Sequence, residues 1–125
     1  MSQILVVDDS RVMRDMIVAC LRGLADATFT QAASGLEAIE RLSLATFDAV
    51  VLDLNMPDIS GVEVLEFVRA QDRLKSLPII VVTTRGDDAS RSQALTAGAS
   101  RYMTKPVTPD AIVAAVTELL HPGTG

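Results

Sequence analysis

The segment Ile4-Leu5-Val6-Val7-Asp8-Asp9 places four apolar residues before two carboxylates, and two later segments follow the same plan. They are Ala49-Val50-Val51-Leu52-Asp53 and Ile79-Ile80-Val81-Val82-Thr83. Apolar runs of this length without polar alternation are typical of strands buried on both faces, as in a parallel sheet covered by helices. Because such sheets bind ligands outside the carboxyl ends of their strands, we expect three carboxylates and a hydroxyl to meet at one edge.

Helical patterns separate these strands, and a weaker strand over residues 28–32 is expected nearer an edge of the sheet. A first helix is indicated by apolar residues at the spacing of one helix face, which are expected in the core: Met13, Met16, Ile17, Cys20, Leu21 and Leu24. The segments Ser34-Gly35-Leu36-Glu37 and Ser60-Gly61-Val62-Glu63 have capping-box spacing, which predicts that a second and a third helix begin there.

The last third of the chain predicts two more helices around a short strand. A fourth helix is expected from Asp88 to Ala97, with Gly98 as its C-terminal stop. Tyr102-Met103 marks a fifth strand, and Thr108-Pro109-Asp110 has the N-cap, first-turn proline and early acidic residue of a helix start. We therefore predict five β-α units in one domain over residues 1–121, followed by a flexible tail over residues 122–125.

Length and composition are those of one ordinary soluble domain, with 125 residues of which 49% are hydrophobic and 22% charged. No apolar run approaches the roughly 20 residues of a membrane span, and the N-terminus lacks the pattern of a signal peptide. The single Cys20 cannot form an internal disulfide, so a cytoplasmic protein without membrane insertion is expected. A net charge of -5 and only 3% aromatic residues argue against direct nucleic-acid binding.

The polar residues at the predicted edge favour a hard cation and phosphoryl transfer. The carboxylates of Asp8, Asp9 and Asp53 outnumber the ammonium of Lys105 by two charges, which a divalent cation would balance. Oxygen ligands without nearby His or Cys suit Mg²⁺, which leaves part of its coordination shell to a phosphoryl oxygen. Asp53 is the best candidate for a carboxylate nucleophile, while Lys105 can supply a positive charge and Thr83 a hydroxyl to the transferred group.

These residues, taken in order, resemble the response-regulator receiver domains of two-component signalling, and most of all the single-domain CheY type. The likeness covers Ile4 to about Leu120 and includes the acidic pair Asp8-Asp9, the Thr83 hydroxyl and the Lys105-Pro106 pair. The family pattern D-x-x-M-P-x-x-x-G stands intact from Asp53 to Gly61. The resemblance implies an α/β fold of the flavodoxin-like (βα)5 kind, a three-layer sandwich whose five-stranded parallel sheet has the order 2-1-3-4-5.

The resemblance also implies a role for each matching residue. Asp53 would accept a phosphoryl group from a sensor histidine kinase or a histidine phosphotransfer protein, in a self-catalysed Mg²⁺-dependent step. Asp9 and Asp53 would bind Mg²⁺ directly, Asp8 partly through water, and Asn55 through its backbone carbonyl. Lys105 would contact the phosphoryl group, and the Lys105-Pro106 bond would be cis. The protein would lose the group by its own autophosphatase activity and would be no enzyme beyond that.

A conformational switch follows from the same resemblance. Thr83 would close onto the phosphoryl group, and Tyr102 would move inward to fill the space behind it. The surface formed by the fourth helix, the fifth strand and the fifth helix would then change and be recognised by a downstream protein. A monomer that can dimerise when phosphorylated is expected.

Three residues near the site are expected to tune the lifetime of the phosphoryl group. Thr84 stands where many relatives carry a small residue, and it would narrow access to the group. Asn55 and Arg85 occupy positions that in this family set the rate of self-dephosphorylation. For Arg85, two arrangements stay open, one that screens or holds the phosphoryl group and one that points into solvent.

Alternatives to a working receiver are weighed on the same residues. A haloacid-dehalogenase phosphohydrolase would carry a second Asp two residues after its nucleophile, where this chain has Asn55. A pseudo-receiver would lack part of the acidic, hydroxyl and lysine set, and a flavodoxin would carry a Ser/Thr/Gly-rich loop in place of Asp8-Asp9. Within the receiver reading, a chemotaxis messenger to the flagellar motor, a phosphorelay intermediate and a receiver excised from a larger regulator all stay open.

Overall fold

The chain alternates five strands with five helices over the residues that a computed structural model describes, 2–24 and 26–121. In chain order the elements are β1 (Ser2–Val7), α1 (Arg11–Leu21), β2 (Ala27–Ala32), α2 (Gly35–Leu44), β3 (Ala49–Leu52), α3 (Gly61–Ala70), β4 (Ile79–Thr83), α4 (Asp88–Ala97), β5 (Arg101–Thr104) and α5 (Pro109–Leu120). The flexible tail expected over residues 122–125 lies outside the described residues. None of the described helices is long and apolar enough to cross a bilayer.

The five strands form one parallel sheet in the order β2-β1-β3-β4-β5. This is the order that the sequence resemblance implied, and the flavodoxin-like (βα)5 fold is confirmed. The strand expected nearer an edge is β2, which lies at the edge beside β1. β1, β3 and β4 are the three inner strands, and they are the ones that end on Asp8-Asp9, Asp53 and Thr83.

Two apolar clusters lie on opposite faces of this sheet, because alternate side chains of a strand point to opposite sides. In β1, Leu5 and Val7 pack into the cluster that also holds buried residues of α2, α3 and α4. Ile4 and Val6 pack into the other, with buried residues of α1 and α5. The strands are therefore apolar on both faces, and the molecule has three layers with three helices on one side and two on the other.

The apolar face of α1 differs in part from the expected one. Met16 is 38% exposed, so its predicted place in the core is wrong. The buried residues of this helix are Ile17, Val18 and Leu21, and this face is turned toward Val18 and away from Met16. The pattern of sulfur-containing and apolar residues was broader than the face that the sheet covers.

The turns that lead from strands into helices are fixed by capping side chains. Ser34, Ser60 and Thr108 each accept a hydrogen bond from the backbone N–H three residues later, as predicted. Gly98 ends α4 in the left-handed conformation, with φ of 118°, which glycine adopts without steric cost. These helix starts lie at the same edge as the polar residues, so capping sets the direction of each loop that carries them.

The opposite, amino-terminal edge of the sheet is closed by reciprocal hydrogen bonds. The Gln3 N–H donates to the Asp48 carboxylate at 2.7 Å, and the Asp48 N–H donates back to the Gln3 carbonyl at 2.7 Å. Ile79 and Ser100 pair in the same way, through the Ser100 hydroxyl at 3.0 Å and the Ile79 carbonyl at 2.7 Å. Each pair joins the loop before one strand to the neighbouring strand, so hydrogen bonds hold this edge together.

Asp58 ties the loop after β3 to the start of α2. Its two carboxylate oxygens accept hydrogen bonds from the Gly35 N–H at 3.1 Å and the Leu36 N–H at 2.9 Å. These are free N–H groups of a helix N-terminus, which favours negative charge. The Leu36 N–H, with the N–H groups of Ile59 and Gly35, lowers the pKa of Asp58 from 3.8 to about 2.

We predict that Asp58→Asn lowers the Tm at neutral pH, because the amide offers one acceptor where the carboxylate offers two. A carboxylate whose pKa is lower in the folded state stabilises the fold above its unfolded pKa and loses this effect as the pH falls. The difference in Tm should therefore be full above about pH 4 and disappear as the pH falls through about 2. Thermal unfolding against pH measures it, with Asp72→Asn as control because the Asp72 side chain is 99% exposed. An equal, pH-independent loss in both variants would contradict the prediction.

Candidate functional site

Three carboxylates meet at the carboxyl ends of β1 and β3, which are neighbours in the sheet. One oxygen from each of Asp8, Asp9 and Asp53 lies within 4.8 Å of the other two. Asp8 is 1% exposed and Asp53 4% exposed, whereas Asp9 is exposed to solvent. The Asp53 N–H donates to the Val7 carbonyl at 3.0 Å, so the ladder between the strands continues to the phosphoacceptor candidate and fixes its place beside the acidic pair.

Lys105 enters this cluster from the end of β5. Its Nζ lies 2.7 Å from Asp8 Oδ2 and 3.7 Å from Asp53 Oδ2, and its side chain is 11% exposed. The Lys105 N–H donates to the Thr83 carbonyl at 2.7 Å, which aims the residue toward the inner strands. The Lys105-Pro106 peptide bond is cis. The ammonium thus lies between two buried carboxylates that are far apart in the sequence.

The Asp53 carboxyl is the least satisfied polar group at this edge. Its Oδ1 is buried and has no hydrogen-bond partner among the described residues. Burial raises the pKa of Asp53, and the nearby Asp8 adds to this, while Lys105, the Asn55 N–H and the Thr83 hydroxyl oppose it. A cluster of oxygen donors with surplus negative charge and an unpartnered buried oxygen fits a hard divalent cation.

Polar side chains from the loops after β3 and β4 surround the cluster. The Asn55 amide Nδ2 lies 3.5 Å from Thr83 Oγ1 and 3.2 Å from Thr84 Oγ1, to which it donates. Arg85 Nε donates in turn to Asn55 Oδ1 at 2.6 Å. Arg85 is exposed and its guanidinium binds Asn55, so its role toward a phosphoryl group stays a prediction. The three residues expected to tune the site form one hydrogen-bonded group.

Tyr102 lies behind this group with its ring turned into the protein. Its side chain is buried, and its hydroxyl donates to the Arg85 carbonyl. The guanidinium of Arg91 in α4 lies 5.8 Å from the centre of the ring, within the range of a cation–π contact. Burial raises the pKa of Tyr102. The ring thus connects the loop after Thr83 with α4 and β5.

Sequence reasoning missed two contacts that hold Asp8. The Ser10 N–H donates to Asp8 Oδ1 at 2.9 Å, and Arg14 Nη1 donates to the Asp8 carbonyl at 2.7 Å. The first could have been found, because Ser10 precedes the apolar pattern of α1 and caps this helix. Arg14 gave no such signal, since one arginine on a helix is most often a solvated surface charge.

The sequence and the fold both match known proteins. A family model described as the response regulator receiver domain matches residues 4–117, which is most of the chain. The chain belongs to this family. Receivers are signalling domains, so the membership favours this reading over the phosphohydrolase and flavodoxin alternatives.

Similar receivers include named chemotaxis proteins. The receiver is 40% identical to chemotaxis protein CheY1 of Helicobacter pylori over 111 residues, which cover 88% of this chain and 90% of that protein. It is 36% identical to the CheY homolog of Campylobacter jejuni over 124 residues, which cover 98% of this chain and 95% of that protein. The solved structure of chemotaxis protein CheY4 of Vibrio cholerae superposes with a TM-score of 0.87 at 31% identity, covering 95% and 98%.

One glycine of the receiver motif allows α3 to begin against the main chain of the site. A Cβ on Gly61 would lie 2.5 Å from the Asp53 carbonyl oxygen and 2.8 Å from Leu54 Cα. The Gly61 N–H also donates to the Leu54 carbonyl at 3.1 Å. A side chain here would push on the backbone that carries Asp53, because the two nearest atoms belong to the main chain and cannot move aside as a side chain can.

We predict that Gly61→Ala lowers the free energy of unfolding by about 1–3 kcal/mol, the usual cost of an added group in a filled space. Denaturant unfolding followed by circular dichroism measures the change. The control is Gly23→Ala, because a Cβ on Gly23 has no heavy atom within 4 Å. That variant should stay within about 0.5 kcal/mol of wild type. Equal effects at the two positions would show that Gly61 carries no packing constraint.

Proposed function

We propose that this receiver accepts a phosphoryl group on Asp53 and that phosphorylation controls its binding to a downstream protein. The observation that carries the proposal is the buried Asp53 carboxylate, which has an unpartnered oxygen and lies between Asp8, Asp9 and the Lys105 ammonium. The donor would be a phosphohistidine of a sensor histidine kinase or of a histidine phosphotransfer protein. Membership in the receiver family supports this class of donor.

In the proposed transfer, a carboxylate oxygen of Asp53 attacks the phosphorus atom as the P–N bond to the histidine breaks. The electron pair of that bond stays on the imidazole, which takes a proton from solvent, and an acyl phosphate is left on Asp53. Lys105 would give positive charge to the phosphoryl oxygens, and the Thr83 hydroxyl and Asn55 amide would donate hydrogen bonds. The four metal residues of the motif, Asp8, Asp9, Asp53 and the Asn55 carbonyl, suit Mg²⁺, which would supply further positive charge when bound.

The acyl phosphate would be lost by hydrolysis within the same site. The side chains of Asn55, Thr84 and Arg85 form one hydrogen-bonded group beside Thr83, and the attacking water would pass this group. This group would set the lifetime of the phosphoryl group, as the sequence resemblance implies for these positions. The receiver would then act as an autophosphatase on its own aspartate and not as an enzyme with an external substrate.

The signal would reach the surface through the backbone after Thr83. Phosphorylation adds nearly two negative charges and strong acceptor oxygens, which would draw the Thr83 hydroxyl inward. Thr83 Oγ1 now lies 3.4 Å from the Arg85 N–H, and the Arg85 carbonyl holds the Tyr102 hydroxyl. A shift of Thr83 would therefore change the contacts of Tyr102 and the α4-β5-α5 face, on which a downstream protein would bind.

The downstream partner would belong to a chemotaxis pathway in the cytoplasm. Support comes from the relatives that are named as chemotaxis proteins and of which the chain covers 90% or more. The motor-switch protein of the flagellum is the partner class we propose. The receiver would act as a monomer, with a dimer formed only on phosphorylation.

We predict that acetyl phosphate adds one phosphoryl group to the wild type in the presence of Mg²⁺ and none to Asp53→Asn. The amide is nearly isosteric with the carboxylate, so the fold should persist while the nucleophile is lost. Intact-mass spectrometry with and without Mg²⁺ measures the gain. Asp72→Asn is the matched control, because this exposed carboxylate lies outside the cluster and its loss should leave the gain unchanged.

Two outcomes would count against the assignment. A phosphoryl gain in Asp53→Asn equal to that of the wild type would place the acceptor elsewhere. A gain by the wild type that persists after Mg²⁺ is removed with a chelator would exclude the proposed role of the cation.

We also predict that Lys105→Ala separates phosphorylation from partner binding. The variant keeps Asp53, but it lacks the ammonium that would join the phosphoryl group to β5 and to Thr83. Phosphorylated Lys105→Ala should bind a motor-switch peptide no better than unphosphorylated wild type does, measured by fluorescence anisotropy of the labelled peptide. Lys75→Ala, whose side chain is 61% exposed, should respond like wild type. A normal response in Lys105→Ala would remove Lys105 from the signalling path.

A further inference from the structure

Asp8 is held at four of its atoms by four different residues. Its N–H donates to the Ala32 carbonyl at 3.1 Å, and its two carboxylate oxygens accept from the Ser10 N–H at 2.9 Å and Lys105 Nζ at 2.7 Å. Its carbonyl oxygen accepts from Arg14 Nη1 at 2.7 Å. The last contact comes from a helix, since Arg14 lies in α1.

The guanidinium of Arg14 is itself fixed by a second contact. Its Nε donates to Gln31 Oε1 at 2.9 Å, and Gln31 Nε2 donates to Asp15 Oδ1 at 3.2 Å. Gln31 belongs to β2, so the planar guanidinium is bound at one edge by a strand and at another by the Asp8 carbonyl. Within residues 2–24 and 26–121, Arg14 forms no ion pair with a carboxylate, and its two acceptors are neutral.

The Asp8 carbonyl belongs to the same rigid peptide plane as the Asp9 N–H. Holding this carbonyl therefore fixes the direction in which the chain continues to Asp9. The Asp9 side chain is exposed, in contrast to Asp8 and Asp53. Of the three carboxylates, Asp9 thus depends most on its backbone for its place in the cluster.

We propose that Arg14 is a positioning residue for the cation site, and that it acts through the Asp8 carbonyl to hold the Asp9 carboxylate beside Asp8 and Asp53. This inference rests on the proposed function, because it assumes that the cluster binds Mg²⁺. The guanidinium strengthens cation binding by bridging Gln31 and Asp8. Its positive charge alone would weaken cation binding.

The direction in which the Kd for Mg²⁺ changes when Arg14 is replaced separates the positioning effect from the effect of charge. A positive charge near three carboxylates repels a cation, so its removal should strengthen Mg²⁺ binding if charge alone matters. Loss of a group that orients metal ligands weakens binding, commonly by tenfold or more. For Arg14→Ala we expect the Kd for Mg²⁺ to rise about tenfold.

The experiment is calorimetric titration of the metal-free protein with MgCl2, which needs no phosphoryl donor. Arg14→Lys keeps the charge but lacks the planar guanidinium that donates to both Gln31 and the Asp8 carbonyl, so its Kd for Mg²⁺ should also rise. Gln31→Ala removes the second anchor without a change of charge and should raise the Kd in the same direction by a smaller factor. The control is Arg11→Ala, which removes an equal charge from the same helix turn. The Arg11 side chain is 83% exposed, and its ion pair among the described residues is with Asp15, at 3.7 Å.

A second readout reports the contact itself in the absence of any cation. The nitrogen of Asp9 is bonded to the Asp8 carbonyl carbon, so its amide ¹⁵N chemical shift depends on the hydrogen bond that this carbonyl accepts. The shift should change in Arg14→Ala and stay in place in Arg11→Ala. Thermal unfolding confirms that each variant is folded before titration, and Gln31→Ala carries the test if Arg14→Ala is unfolded.

The outcomes distinguish this inference from the proposed function. A raised Kd in Arg14→Ala, Arg14→Lys and Gln31→Ala, with the Kd of Arg11→Ala unchanged or lowered, supports it. An unchanged or lower Kd in Arg14→Ala and Gln31→Ala, with Mg²⁺ binding intact in the wild type, overturns this inference alone. Failure of the wild type to bind Mg²⁺ overturns the proposed function and this inference with it.

Discussion

Repulsion among buried carboxylates is the constraint on which the rest of the carboxyl edge depends. Asp8 and Asp53 are almost inaccessible to solvent, and burial of an unpaired charge costs several kcal/mol. The Lys105 ammonium offsets this cost, at 2.7 Å from Asp8, which lies 97 residues away along the chain, and at 3.7 Å from Asp53. Since the offset is partial, the edge retains surplus negative charge, which favours the binding of a cation.

The helices that flank the site are held to the sheet to different degrees. α3 buries Val64, Leu65 and Val68, whereas Ala94 is the one fully buried side chain of α4. The C-terminal end of α4 is held by Arg69, whose Nε and Nη2 donate to the Gly98 carbonyl at 3.0 and 2.7 Å. Little apolar burial opposes a displacement of the rest of α4, which suits its place in the switching surface that we propose.

The sequence predicted the fold closely because local signals determine most of it. The apolar runs of β1, β3 and β4, the capping serines Ser34 and Ser60, and Gly98 after α4 each specify their own element. The site residues could be named for the same reason, since a parallel sheet brings the ends of its strands together. Their pairing could not be predicted, because the partner of Arg14 or Arg85 depends on how far apart three elements finally pack. The prediction that Met16 lies in the core was wrong for the same reason, because the sheet and α5 determine which face of α1 is covered.

The two edges of the sheet differ in how they are closed. This difference separates the residues that set the stability of the fold from those that would set the lifetime of the phosphoryl group. The amino-terminal edge is closed by neutral or singly charged hydrogen-bonded pairs, Gln3 with Asp48 and Ile79 with Ser100. Substitution of residues at the amino-terminal edge changes the stability of the fold. Under the proposed function, substitution of residues around Asn55 and Arg85, at the other edge, would change the lifetime of the phosphoryl group in a chain that stays folded. Natural variation would then adjust the duration of a response without a compensating change in the stability of the protein.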